Sequence, residues 1–123
     1  MLSYEIYKLF HLFGIIMLFV SVGGVMGYAL NGGTKAENTW RKTAAITHGL
    51  GLVFILVAGF GLLARVGITW PWSGWVFVKL SIWLVLGGVT GLIYKLSSRG
   101  QWLWYVVILL GVIAAYMAIF KPF

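Results

Sequence analysis

Almost the whole chain consists of apolar segments that are long enough to cross a lipid bilayer. Four such segments can be drawn, at about 5–30, 43–64, 75–94 and 102–120, and each is close to the roughly 20 residues that a bilayer core requires. Of the 123 residues, 62% are hydrophobic and 9% are charged, which is more apolar than a soluble domain of this length. The sequence therefore predicts an all-α integral membrane protein, a four-transmembrane-helix bundle that forms a single domain over residues 1–123.

The few polar residues limit the chemistry that the chain can perform. It has no cysteine, and Glu5 and Glu37 are its only acids. This excludes disulfides and thiolate metal sites and disfavours catalysis by paired carboxylates. The formal net charge of +7 is typical of a chain anchored to anionic lipid. Since no large basic face extends beyond the membrane, we expect a lipid bilayer as partner and no nucleic acid.

The basic residues are divided unevenly between the two sides of the predicted helices. The two loops on one side carry five of them, and four lie at or near the other side. They are Lys35, Arg41, Lys42, Lys95 and Arg99 on the first side, and Lys8, Arg65, Lys79 and Lys121 on the second. Because Lys and Arg are enriched on the cytoplasmic side, both termini are predicted outside the cytoplasm. The predicted location is the bacterial inner (cytoplasmic) membrane, crossed several times.

Tryptophans mark the ends of the predicted helices. Tryptophan is enriched where a membrane meets water, so this placement supports the segmentation and predicts an anchoring role. The tryptophans at these ends are Trp40, Trp70, Trp72, Trp75, Trp102 and Trp104.

Glycines recur at helical spacing in three of the segments. The first segment ends near Val-Gly-Gly-Val-Met-Gly and the third near Leu-Gly-Gly-Val-Thr-Gly, which sets Gly23/Gly27 and Gly87/Gly91 four residues apart. Small residues at this spacing let membrane helices approach closely. The pattern favours two parallel helix-hairpin repeats, with chance similarity as the alternative, and a homo-oligomer or contact with other membrane subunits. The second segment carries further glycines, which indicate tight packing or room for a flat cofactor: Gly49, Gly51, Gly59 and Gly61.

Three ionisable side chains, His11, His48 and Lys79, lie inside the apolar segments. Lipid disfavours such groups, so each is a candidate functional residue. His11 and His48 are candidate metal or haem ligands. Counting about 1.5 Å per residue along the helices, they are expected near opposite membrane faces, roughly 20 Å apart. Two imidazoles on one metal must each approach it to about 2 Å, so we do not expect both on the same ion.

Lys79 is expected at a depth similar to that of His11, because the first and third segments enter from the same face. A His11/Lys79 pair could bind an anion, a quinone carbonyl or a haem propionate, or supply axial ligands to a metal. Structural alternatives stay open for all three residues. Lys79 could extend to the lipid headgroups, His11 could bond to a backbone carbonyl or a tyrosine hydroxyl, and His48 could lie at the interface.

Two short runs resemble known membrane protein families. Residues 8–14, Lys-Leu-Phe-His-Leu-Phe-Gly, resemble the K-x-x-H-x-x-G start of CopD-like and HemJ-like bacterial proteins, several of which are linked to haem b or copper. Residues 74–80 resemble the W-x-x-x-K-L start of the third HemJ-like helix. The resemblance implies a haem b site in which His11 and Lys79 are the important polar pair and, if the chain is catalytic, a HemJ-like oxidoreductase. Residues 48–51 and 121–123 look more like small four-helix proteins to which no activity is attached.

Three functions are weighed on these grounds. The leading interpretation is a non-catalytic accessory or structural subunit of a larger membrane complex, because short loops, abundant glycine and few polar groups suit helix packing. The second is a haem-b-binding redox or haem-handling protein with a His11/Lys79 site, in which His48 could serve a second haem. The third is a small dimeric channel or transporter, which is disfavoured because polar groups do not line a path.

Overall fold

The computed structural model describes residues 2–123. Within this range the chain forms four long α-helices and no strand: α1 (Tyr4–Leu30), α2 (Arg41–Arg65), α3 (Gly74–Leu96) and α4 (Gln101–Phe120), with a 3-10 turn, Ser97–Arg99, between the last two. All four α-helices are long and apolar enough to cross a membrane. The predicted all-α, four-helix membrane class is therefore confirmed.

Left-handed backbone marks the points where the helices stop. Gly32 follows α1 with φ at 87°, and Gly67 follows α2 with φ at 78°. Glycine enters this region without the steric conflict of a Cβ, and so it ends helices readily. Ser97 and Lys121 take the same role after α3 and α4, with φ at 53° and 45°. The Ser97 hydroxyl also donates a hydrogen bond of 3.2 Å to the Ala29 carbonyl.

Two helices extend further into basic sequence than the apolar pattern suggests. Helix α2 starts at Arg41 and includes Lys42, and α3 continues through Lys95. Long aliphatic stems let such side chains follow an apolar surface while their charge reaches water. A lysine in the last turn of a helix also interacts favourably with its dipole. Arg41, Lys42 and Lys95 are therefore part of the helices.

The described residues divide into two compact units. The first unit comprises residues 2–24 and Trp40–Pro71, which are most of α1 and all of α2. The second unit comprises Val25–Thr39 and Trp72–Phe123, which are the end of α1, the loop after it, α3 and α4. The single domain over residues 1–123 and the two hairpin repeats stay predictions.

In the first unit, α1 and α2 meet at two glycines. A Cβ added to Gly14 would lie 2.7 Å from the Gly51 carbonyl oxygen, and one added to Gly51 would lie 2.8 Å from the Gly14 carbonyl oxygen. Carbon atoms do not approach oxygen so closely, so this contact requires glycine on both helices. Beside it, the Phe54 ring stacks on Phe10 with 5.9 Å between centroids and meets Phe13 edge-on at 5.4 Å. Such close packing holds helices together in lipid.

The second unit has a core of aliphatic side chains at helical spacing. From Ile82 to Ile93 the buried residues of α3 recur every three or four positions, so they form one stripe along the helix. Helix α4 and the end of α1 contribute the remaining buried aliphatic residues. The core residues are Val25, Met26 and Ala29 from α1, Val76, Ile82, Leu86, Val89 and Ile93 from α3, and Leu103 and Val107 from α4.

The Gly23/Gly27 and Gly87/Gly91 pairs, which the sequence suggested as places of close helix approach, do not make the closest helix contact of the first unit. No atom lies within 4 Å of the position that a Cβ would take at Gly23, Gly27 or Gly91, apart from the neighbouring residues and the backbone of the same helix. The close contact is instead made by Gly14 and Gly51. Glycine spacing alone does not show which face of a helix meets its neighbour, because the rotation of a helix about its own axis depends on how it packs against other helices.

The glycine contact of the first unit can be tested with alanine. We expect Gly14→Ala to destabilise the protein by about 1–3 kcal/mol, because the added methyl overlaps the Gly51 carbonyl and Phe54. Gly24→Ala is the matched control, since nothing lies within 4 Å of its Cβ position. Unfolding followed by circular dichroism in detergent with increasing dodecyl sulfate measures both. Equal stability of the two variants would contradict the contact.

Candidate functional site

His11 lies on α1 in the first unit and is hydrogen-bonded to the backbone of α2. Its Nδ1 is 2.9 Å from the Ile55 carbonyl oxygen. A carbonyl oxygen can only accept a hydrogen bond, so Nδ1 carries the proton and donates it. In the neutral imidazole the lone pair is then on Nε2. The bond therefore determines both the orientation of the ring and its tautomer.

Glycines on α2 make room for side chains of α1. A Cβ at Gly59 would lie 3.3 Å from His11 Cε1 and 3.5 Å from His11 Nδ1, and one at Gly61 would overlap the Tyr7 ring. The space that these glycines leave is thus filled by rings of the chain itself. Among the predicted packing glycines of α2, Gly51 makes the backbone contact and Gly49 is open. Gly51, Gly59 and Gly61 therefore serve tight packing within the first unit.

In the first unit, an apolar groove is lined mainly by side chains of α1 and α2. Only one of its lining side chains, that of Tyr7, carries a polar group. The lining residues are Leu2, Tyr7, Phe10, Val53, Phe54, Val57 and Ala58. Such a groove suits an apolar chain or the edge of a flat apolar ring better than a polar substrate.

His48 is buried in α2, with 8% of its surface exposed. It precedes Ile55 by seven residues, which is about 10 Å along the helix axis. His11 is hydrogen-bonded to Ile55, so it lies at about the level of Ile55 along α2. The distance between the two histidines along the helix axis is therefore shorter than the roughly 20 Å expected from helix lengths. The offset still exceeds the roughly 4 Å that separates two nitrogen ligands of one metal. No group of three metal-binding His, Asp or Glu residues occurs within residues 2–123.

Lys79 lies in the second unit, half-buried on α3 and four residues after Trp75. Lys121 lies at the same end of the second unit, because Phe123, two residues later, accepts a hydrogen bond from the Trp75 backbone. The Lys121 Nζ lies 5.5 Å from the centroid of the Trp75 ring and donates a hydrogen bond of 2.8 Å to the Ala118 carbonyl. Lys79 therefore belongs to a cationic cluster at the end of the second unit where α3 begins.

Trp75 differs from the other tryptophans at helix ends. Only 7% of its surface is exposed, whereas Trp40 is 68% exposed. The C-terminal segment folds onto it, because the backbone N–H of Trp75 donates a hydrogen bond of 3.2 Å to the Phe123 carbonyl. Trp75 thus packs within its own unit, and the exposed tryptophans keep the predicted anchoring role.

The structure distributes the predicted site residues between the two units. His11 and His48 lie at different depths of the first unit, and Lys79 lies in the second, so the His11/Lys79 pair stays a prediction. Gly59 was among the α2 glycines noted in the sequence, but the Ile55 carbonyl and Lys121 were not predicted as site groups. Only Lys121 had a usable signal: antiparallel α3 and α4 bring the end of α4 to the beginning of α3.

Comparison with known proteins adds no further assignment. No family model, curated protein or solved structure matches the chain. The resemblance to CopD-like and HemJ-like proteins therefore rests on the motifs around His11 and Lys79, and their role as a haem site stays a prediction.

The hydrogen bond between His11 and α2 can be tested by two substitutions. We expect His11→Leu to lower stability by about 1 kcal/mol, because the donor to the Ile55 carbonyl is lost. His11→Asn should keep most of the stability, since its amide can donate from nearly the same position as Nδ1. Unfolding in detergent with increasing dodecyl sulfate compares the two. A leucine variant that is more stable than the asparagine variant would contradict a structural role for the bond.

Proposed function

We propose that this chain is a non-catalytic subunit of a larger membrane assembly and works by packing its helices against those of its partners. The observation that supports this proposal most is the bond between His11 and the Ile55 carbonyl. An ionisable side chain inside a span is a functional candidate. Here it joins two helices of the same unit, as a structural residue does.

Hydroxyl side chains within the helices are also hydrogen-bonded to backbone carbonyls. Ser21 donates to the Leu18 carbonyl at 2.8 Å, and Ser81 donates to the Phe77 carbonyl at 2.9 Å. Both bonds lie within one helix. Such bonds remove the energetic penalty of a polar group in lipid and leave the helix surface apolar. An apolar surface is what a helix-packing subunit requires.

Open glycine faces supply surfaces for partner helices. Gly23 and Gly24 on α1, and Gly88 and Gly91 on α3, have no atom within 4 Å of a Cβ position. Bare backbone of this kind lets another helix approach closely, and lipid gives no comparable packing. Gly14 and Gly51 are already engaged inside the first unit, whereas these four glycines are open to an external contact.

Helix α4 presents a further surface. Six of its nine exposed large side chains follow one another at spacings of three and four residues, which aligns these six in one seam along the helix. Aromatic residues make up half of the seam, and they pack well against another helix. The seam consists of Trp102, Tyr105, Leu109, Val112, Tyr116 and Ile119.

The subunit proposal predicts that bulky side chains at open glycines dissociate the assembly. Gly24→Ile and Gly91→Ile should shift the tagged chain from a large species to its own mass, without loss of helix content. Val20→Ile on α1 and Val85→Ile on α3 are the controls, because both positions are already exposed valines. Native electrophoresis of bilayer particles extracted with a styrene–maleic acid polymer measures the size. A wild-type chain that migrates alone would contradict the proposal.

A second candidate function is haem b binding, which the tautomer of His11 favours. Histidines that bind a metal usually donate their other ring N–H to a carboxylate or a backbone carbonyl, which orients the ring and raises its basicity. The bond to Ile55 has this form. His11 would be the axial ligand. Haem would supply one-electron redox chemistry.

The haem candidate predicts a visible spectrum that depends on His11. Protein purified in detergent from cells supplied with haem should show a Soret band that sharpens and shifts on reduction by dithionite. His11→Asn should lose the band, because it keeps the donor to Ile55 but has no iron-binding nitrogen. His48→Asn is the control and should keep it. A featureless spectrum of the wild-type protein would eliminate this candidate and leave the subunit proposal standing.

A further inference from the structure

Two lysines and a tryptophan converge where α3 begins and α4 ends. Lys121 Nζ lies 5.5 Å from the centroid of the Trp75 ring. Lys79 follows Trp75 by four residues, which places both on the same face of α3. Lys79 on α3 and Lys121, directly after α4, therefore both lie near Trp75 in the second unit.

The position of Lys121 is determined by the C-terminal segment. Lys121 takes left-handed backbone with φ at 45°, which turns the chain back toward α3. The Phe123 carbonyl then accepts a hydrogen bond of 3.2 Å from the backbone N–H of Trp75. The Phe123 ring occupies the space beside Gly74, where a Cβ would overlap it. One proton of the Lys121 ammonium bonds to the Ala118 carbonyl, and an ammonium has three to donate.

The described residues of the second unit, 25–39 and 72–123, place no acidic side chain beside these lysines. The single acid in this unit, Glu37, lies in the turn that begins at Thr34. Its neighbour Asn38 donates a hydrogen bond of 2.9 Å to the Tyr94 hydroxyl. Tyr94 is 15 residues beyond Lys79 on α3, which is about 22 Å along the axis. Among the described residues of this unit, no carboxylate side chain therefore lies near the start of α3.

The depth of this cluster selects the kind of anion. It lies at the ends of two candidate membrane spans, α3 and α4, where lipid phosphates are the most abundant anions. A half-buried lysine near a helix end extends its ammonium toward that layer. Basic pockets between transmembrane helices are a known form of site for anionic lipid headgroups.

We propose that Lys79 and Lys121 form a binding site for the phosphate headgroup of an anionic phospholipid, beside Trp75. Each ammonium donates hydrogen bonds to phosphate oxygens, and the acyl chains extend along the apolar surfaces of α3 and α4. This inference concerns a lipid and is independent of whether the chain packs with partners or binds haem.

Lipid retention by the full-length protein tests the site. Native mass spectrometry in detergent compares retained phosphatidylglycerol with retained phosphatidylcholine. The wild-type chain should prefer phosphatidylglycerol, and Lys79→Gln and Lys121→Gln should each weaken that preference about fivefold. Lys121→Arg should keep it, because the charge is kept. Lys95→Gln, at the other end of α3, is the matched control and should also keep it.

Three outcomes would overturn the proposal. One is an equal loss of phosphatidylglycerol in Lys95→Gln, which would indicate general attraction to a basic surface. The second is an unchanged lipid preference in Lys121→Gln, whose exposed side chain makes that variant the less disruptive of the two. The third is displacement of the lipid by millimolar inorganic phosphate, which would show that the lysines bind a free anion. Circular dichroism confirms that each variant keeps its helices.

Discussion

Lipid offers no hydrogen-bond partner to a polar group inside a bilayer, and this constraint determines where the polar side chains of the four helices lie. Backbone groups are satisfied within helices, the only spanning form available to so short a chain other than a barrel. Side chains follow the same rule. His11 donates to the Ile55 carbonyl, and Thr47 donates to the Thr43 carbonyl at 2.8 Å. No buried side-chain nitrogen or oxygen atom among residues 2–123 is without a partner.

Close packing depends on the same environment. Because the hydrophobic effect does not drive one helix against another in lipid, contact must come from shape and from hydrogen bonds. The first unit has both in one place: glycine backbones touch at Gly14 and Gly51, and His11 bonds across the same helix pair next to Gly59. This concentration of contacts supports a rigid hairpin whose other faces are available for partners.

The four helices could be predicted from sequence because the length of an apolar segment is a local property. The positions of His11, His48 and Lys79 in the helices followed directly. The partner of His11 could not be predicted, since every carbonyl of α2 is equivalent until the register of two helices is known, and that register depends on the Gly14–Gly51 contact. The antiparallel order of α3 and α4 predicts that Lys121 lies near the start of α3, but its position over the Trp75 ring depends on a backbone reversal that no local pattern signals. The predicted spans stopped short of Arg41 and Lys95 because hydropathy treats a long basic side chain as fully polar.

The central claim, that His11 is held by the backbone of α2, is tested most directly by nuclear magnetic resonance in lipid bilayers. Protein labelled with 15N-histidine and 13C-carbonyl isoleucine reports the tautomer of the ring and its partner, and the His48→Asn variant leaves a single histidine to assign. We expect a proton on Nδ1 and magnetisation transfer from that proton to the Ile55 carbonyl carbon. A neutral ring with its proton on Nε2 would contradict the account, because Nδ1 would then carry a lone pair and could not donate to a carbonyl.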